Sequence, residues 1–216
     1  MGCDITESNI YSKDMVYNYL YQYSRFYSIR LYECETLYLE GKGYAAITLL
    51  FACLENIVKS VANDFDSSFY AVVEKVKNRC IITNDEYNFI SINDNSIRKI
   101  RNLFAHANVI AINLINYENG NEILYPLSEE ESCLLLYEKT SLIICNIIFK
   151  LVIDNFIDDV RNKFTIDLAQ AISNCNLQFK TLTSKEMLVL KGFPEDYISD
   201  DLDIPEDARL RLIDNV

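Results

Sequence analysis

The residues best suited to chemistry lie between Asn95 and Asn108, in the run N-S-I-R-K-I-R-N-L-F-A-H-A-N, which holds the chain's only histidine, His106. A histidine titrates near neutrality and can take or give a proton. Arg101 stays charged, and its planar fork matches phosphate oxygens. Asn102 can hydrogen-bond one imidazole nitrogen and fix its tautomer, or bond a phosphate directly. The run reads as a helix, in which each residue advances about 100°. Arg98, Asn102 and His106 then share one polar stripe at steps of four, and Ile97, Ile100, Leu103 and Phe104 form the apolar one. Arg101 lies about 140° round from His106. The two meet if the long Arg swings across, or if two copies of the helix pack side by side. The competing reading is a packed core histidine beside Phe104 and Ala105, with Arg101 in a surface ion pair.

Arg101-Asn102-x-x-x-His106 resembles the R-x4-6-H signature of HEPN domains, in which a polar residue often follows the Arg. The order of helices from about Tyr11 to Asn155 is similar as well. The resemblance implies an all-α bundle and the activity of a ribonuclease toxin or of an antiviral, abortive-infection effector. The catalytic residues would be Arg101, His106 and Asn102, with Arg98 and Lys99 holding the RNA phosphates. RNA supplies its own nucleophile: a base removes the 2′-hydroxyl proton, the oxygen attacks phosphorus and the 5′-oxygen leaves. The products carry 2′,3′-cyclic phosphate and 5′-hydroxyl ends, and neither metal nor cofactor is needed. The implied partners are the RNA substrate, a second copy of the chain with the active site at the dimer interface, and an antitoxin or defence complex. DNA sequence recognition is not expected. In one toxin group the motif continues to a Tyr two residues after the His. Here that position is Asn108, which puts regulation through that Tyr in doubt. The rival function is a catalytically inactive HEPN-like helical dimer serving as an interaction module or regulatory subunit. A third is a nucleotide or small-ligand sensor using the same cleft.

The elements that must position this stretch read as helices. Half of the 216 residues are hydrophobic, and only 5 Gly and 3 Pro leave little room for turns. A first helix is expected over residues 13–40, with Val16, Leu20, Tyr23, Tyr27, Leu31, Cys34 and Tyr38 as its stripe. Gly41-Lys42-Gly43 stops it. A second, over 44–63, buries Ala46, Leu50, Cys53, Leu54, Ile57 and Val61, and the two form an antiparallel hairpin. Glu55 is the only charge between Tyr44 and Lys59. It is either an auxiliary catalytic group or, as favoured, a solvent-facing partner of Lys59 at i, i+4. Shorter helices follow over 67–79 and about 86–90.

After the motif the period changes. Residues 110–115 and 122–127 flank Asn119-Gly120 and predict a small β-hairpin insertion. Ser128 followed by three Glu caps a long, central helix running to Phe156. A boundary is placed at 160–161. Beyond it, helices over 165–176 and 184–190 lead into an acidic tail from Asp200.

Charge and cysteines bound the function. The net charge is −12, against the usual sign for a general nucleic-acid binder. From Phe193 to Val216 eight acidic residues face two basic ones, so this segment carries half the excess. The seven cysteines are odd in number and none is spaced C-x-x-C, as expected for reduced thiols in a cytoplasmic protein without a disulfide frame or metal site. The most apolar run, 142–153, is too short to span a bilayer, so no membrane is expected. Gly2 to Thr6 matches the loose myristoylation pattern, against the plainer reading of a disordered start.

Overall fold

In the computed structural model of the chain, residues 10–105, 112–118, 121–156, 166–200 and 202 are described. His106, Asn108, the Gly2 pattern and the tail from residue 203 lie outside them. Helices dominate, joined by one small antiparallel sheet.

Two helices stand where one was expected: α1 (Lys13–Tyr23) and α2 (Arg25–Leu39). Ser24 divides them. Its backbone is extended, its N–H closes α1 on the Leu20 carbonyl at 2.6 Å, and its Oγ accepts from the Tyr27 N–H at 3.5 Å to start α2. A serine can serve both ends because it offers the backbone bonds that a helix interior would otherwise supply. The corner lets α1 fold onto α2, where the Ser28 hydroxyl donates to the Tyr17 carbonyl at 2.8 Å.

Gly41 ends α2 as expected. It sits at φ +76°, its N–H bonds the Tyr38 carbonyl, and the Lys42 N–H reaches back to Leu37, the paired bonds of a Schellman cap. α3 (Gly43–Ala62) then runs antiparallel to α2: Tyr27 meets Ser60 at 3.1 Å, and Cys34 meets Cys53. α4 (Phe69–Asn78) buries Phe69, Val72, Val73 and Val76. α5 (Asn84–Tyr87) starts at a capping box of Thr83 and Glu86 and continues as a π-helical turn, Asn88–Ile92. α6 (Ile97–Ala105) carries the described part of the motif.

The long α7 (Glu130–Phe156) is the core of the bundle, fully burying Leu136, Tyr137, Ile144, Ile147, Ile148 and Phe149. It approaches the start of α3 so closely that only glycine fits at Gly43: an added Cβ would lie 2.5 Å from the Glu130 oxygen and the Leu134 nitrogen. α3 and α7 are each long and apolar enough to cross a membrane by length and composition, but most of each is buried inside the bundle.

β1 (Ile112–Glu118) and β2 (Asn121–Pro126) pair with Glu118 opposite Asn121, the two-residue hairpin expected around Asn119-Gly120. The all-α expectation needs correction in one respect. After α8 (Ala169–Cys175) a third strand, β3 (Phe179–Thr181), pairs with the other edge of β1 and completes a sheet ordered β2-β1-β3. α9 (Ser184–Leu190) follows, capped by Thr183 and Glu186. The boundary expected at 160–161 lies outside the described residues, and the segment beyond it places Leu168, Cys175, Leu177 and Leu182 in the core.

Candidate functional site

α6 is anchored from below by its apolar stripe. Ile97, Ile100 and Phe104 are buried, and Leu103 is half-buried. The Phe104 ring packs edge-on to Phe51 at 5.9 Å and tilted against Tyr44 at 5.3 Å. This fixes the rotation of α6 on α3 and leaves Arg98, Lys99, Arg101 and Asn102 part-exposed.

Each of these polar residues has a partner. Arg98 donates through Nε to the Ser91 carbonyl at 3.1 Å, and its guanidinium lies 5.6 Å from the Tyr70 ring centroid. The Tyr87 hydroxyl bonds that of Tyr70 at 3.4 Å, and this bond, with burial, pushes the Tyr87 phenol up to about 12. Lys99 pairs with Asp94 at 2.7 Å. Arg101 donates through one nitrogen to the Asn102 side-chain oxygen at 3.1 Å and through another to Glu55.

Glu55 is therefore more than a solvent-facing partner of Lys59. Its side chain is only 14 % exposed, and its two oxygens are divided between Lys59, at 3.1 Å, and Arg101. One carboxylate serves two cations, so the cluster carries a net charge of +1 within a strongly acidic chain. Sequence reasoning brought Arg101 and Asn102 together and weighed Glu55 apart from them. The i, i+4 pair of Glu55 with Lys59 forms as expected, and its link to Arg101 is what the spacing did not show.

The chemistry open to this cluster follows from its donors. Arginine has five N–H groups, and Arg101 uses two of them among the described residues. Among the described residues nothing takes the remainder, which can meet an anion, while Glu55 and Asn102 hold the guanidinium plane in place. Among the described residues no group of three or more His, Cys, Asp or Glu side chains is placed to hold a metal ion. Three of the described buried thiols are unreactive by position: burial raises Cys133 and Cys145 to about 12 and Cys175 to about 11. Compared with known proteins, the chain matches no family model, and no curated protein or solved structure is similar to it.

Proposed function

We propose that the chain is a metal-independent endoribonuclease of the HEPN type, with Arg101, Asn102 and His106 as its reacting groups. The observation that supports this reading best is the Glu55–Arg101–Asn102 cluster. It holds a guanidinium at a part-exposed helix face with donors to spare, on the helix that leads into the only histidine of the chain. In the proposed step His106 takes the proton of a 2′-hydroxyl, the freed oxygen bonds to the adjacent phosphorus, and the bond to the 5′-oxygen breaks. That oxygen takes up a proton and leaves. Arg101 holds the phosphoryl oxygens as negative charge accumulates on them. Glu55 is a positioning residue in this scheme: it touches Arg101 and not the reacting atoms. The role as a toxin or defence effector rests on the motif resemblance.

The second reading, an interaction module that cleaves nothing, is favoured by the same ion pair seen from the other side. Glu55 already neutralises one of two cations, and the chain as a whole repels polyanions.

The two readings separate on one experiment. Purified protein is incubated with bulk tRNA in EDTA beside His106→Ala. Cleavage that persists in EDTA, leaves cyclic phosphate ends and disappears in the variant supports the ribonuclease. Equal cleavage by both proteins removes His106 from the scheme. No cleavage by either, with RNA or partner proteins still bound, supports the module.

A further inference from the structure

Beside the cations of α6 stands a pair of tyrosines that the proposed reaction does not use. Tyr70, in the first turn of α4, is 39 % exposed. The Arg98 guanidinium lies over its ring, 5.6 Å from the centroid, a cation–π distance. Its hydroxyl accepts from the Tyr87 O–H at 3.4 Å. Three elements thus meet on one ring: α4 supplies it, α5 holds its hydroxyl edge, and α6 covers one face. The π-helical turn after α5 completes the clamp, because its Ser91 carbonyl accepts from Arg98 Nε at 3.1 Å. A tyrosine held in this way has given up the freedom of an exposed side chain. What remains open is a flat apolar plate, set before any ligand arrives.

The plate adjoins donors that suit a phosphate. Arg98 and Arg101 are three residues apart on α6, and side chains at that spacing are neighbours, with about 5–6 Å between Cβ atoms. Arg98 gives Nε to Ser91, and among the described residues its terminal nitrogens meet no carboxylate. A strand whose phosphate sits at Arg101 therefore brings the next nucleotide to Arg98 and its base to Tyr70. Tyr70 itself suits an uncharged group. The Tyr87 phenol is pushed up to about 12 by its bond to Tyr70, then by burial and by the nearby Tyr70 and Glu74, so a carboxylate stands close to the pair and disfavours a further phosphate there. Stacking on an aromatic side chain is how unpaired bases are held, and it tolerates any sequence because every base has a π-face. Tyr44, the part-exposed aromatic beside Phe104, is already packed against that ring.

We propose that Tyr70 is a base-stacking residue, holding the base of the nucleotide next to the phosphate at Arg101, with Arg98 backing the ring. The assignment rests on the ribonuclease reading of α6 and narrows its substrate: the strand admitted there is single-stranded, since bases within a duplex keep their faces stacked on one another.

The chain contains no Trp, so Tyr70→Trp supplies a single reporter that keeps a stacking ring. Its emission is followed on titration with a 2′-O-methyl oligonucleotide, which cannot be cleaved, and with a base-free 2′-O-methyl ribose-phosphate strand of equal length and charge. Fluorescence anisotropy of the labelled strands gives the affinities. The oligonucleotide is expected to quench the Trp, and the base-free strand to leave it unchanged. Tyr70→Leu removes the ring and is expected to weaken oligonucleotide binding at least about fivefold. Its affinity for the base-free strand, which also reports that the protein is folded, and its salt slope should match the wild type, because no cation is lost. Tyr70→Phe keeps the ring and should bind as the wild type does. A Trp that the oligonucleotide fails to quench, or a Tyr70→Leu protein that binds both strands like the wild type, overturns stacking at Tyr70, and RNA cleavage persisting in those proteins leaves the ribonuclease reading standing. Equal weakening of both strands by Tyr70→Leu also overturns it, since the ring would then serve only to hold Arg98. An oligonucleotide that the wild type does not bind overturns both readings.

Discussion

Gly43→Ala is the substitution for which two opposed effects are most clearly separated. Gly43 opens α3 in helical backbone and is buried. By intrinsic propensity, Ala in a helix is better than Gly by about 1 kcal/mol, and the change also lowers the entropy of the unfolded chain. Both effects predict stabilisation. Against them stands α7, where the new Cβ would meet the Glu130 oxygen and Leu134 nitrogen at 2.5 Å and the Leu134 Cγ at 2.9 Å. Two of these three atoms are backbone and cannot rotate aside. The start of α3 must move off α7, which also lengthens the 2.9 Å bond from the Tyr44 N–H to the Glu130 carboxylate. Overpacking of a rigid contact costs about 1–3 kcal/mol and more when backbone must shift; two backbone contacts at 2.5 Å put the cost at the upper end, about 3 kcal/mol, which exceeds the roughly 1 kcal/mol gained by about 2 kcal/mol. For a chain of this size that lowers Tm by about 4–8 °C. Thermal unfolding followed by far-UV circular dichroism measures it. Gly41→Ala is the control: at φ +76° nothing lies within 4 Å of an added Cβ, so its cost is conformational, about 1 kcal/mol, and Gly41→Asn should recover part of it. A Gly43→Ala protein as stable as wild type or more so would refute the close approach of α3 and α7.

Other expectations rest on single contacts. Glu55→Gln keeps the shape of the side chain and loses the charge shared by Lys59 and Arg101. With Glu55 nearly covered, it should cost about 1–3 kcal/mol, read in a urea titration, and an unchanged midpoint would mean that the cluster contributes nothing to stability. Cys80→Gly should raise Tm, since Cys80 sits at φ +58° in the left-handed position after α4, with its N–H on Lys77 and the next N–H on Val76. Glycine there relieves about 1 kcal/mol of strain, so a lower Tm would contradict the assignment of that cap. The Asp64 carboxyl is held below its ordinary value of 3.8, chiefly by Lys75 and then by Ser67. The unfolded chain therefore binds this proton more readily than the folded one. The contribution is present above the ordinary value and disappears as pH falls through the lower folded one. The stability gap between wild type and Asp64→Asn should narrow on acidification below about pH 5 and persist in part at about pH 2, and a gap that widens would reverse the sign.

Local chemistry told the sequence reader a good deal. Gly41 marked the end of α2, Asn119-Gly120 marked a hairpin between the strands that pair as β1 and β2, and the apolar stripe of α6 pointed to its buried face. Each of these signals acts within about four residues. What escaped needed either ambiguity to be resolved or distance to be crossed. Ser24 interrupts a pattern that stays in helical register on both sides, so periodicity alone could not show a corner there. β3 is three residues long and is a strand only because β1 offers it an edge. Glu55 and Arg101 are 46 positions apart. Nothing in the i, i+4 pattern of Glu55 and Lys59 reveals that a third residue completes the cluster.

The acidity of the chain and a polyanionic substrate can be reconciled through range. At physiological ionic strength charges are screened beyond about 8 Å, so an approaching phosphate responds to its neighbours and not to the total of −12. Those neighbours are Arg101 and Lys59, which share one carboxylate, with Arg98 and Lys99 on the next turn held by Tyr70, Ser91 and Asp94. On the ribonuclease reading this geometry engages one or two phosphates and no more. Single-stranded RNA bound through that many contacts gives a logarithmic salt slope of about −0.7 to −1.4. The measurement is fluorescence anisotropy with a 2′-O-methyl oligonucleotide, which binds and cannot be cleaved, titrated at several salt concentrations. A slope near −5 would require a basic surface that the described residues do not offer, and would move RNA binding away from α6. A shallow slope reduced further by Arg101→Met, and steepened by Glu55→Gln, would place the phosphate at the cluster, since the second change releases a cation that the carboxylate now holds.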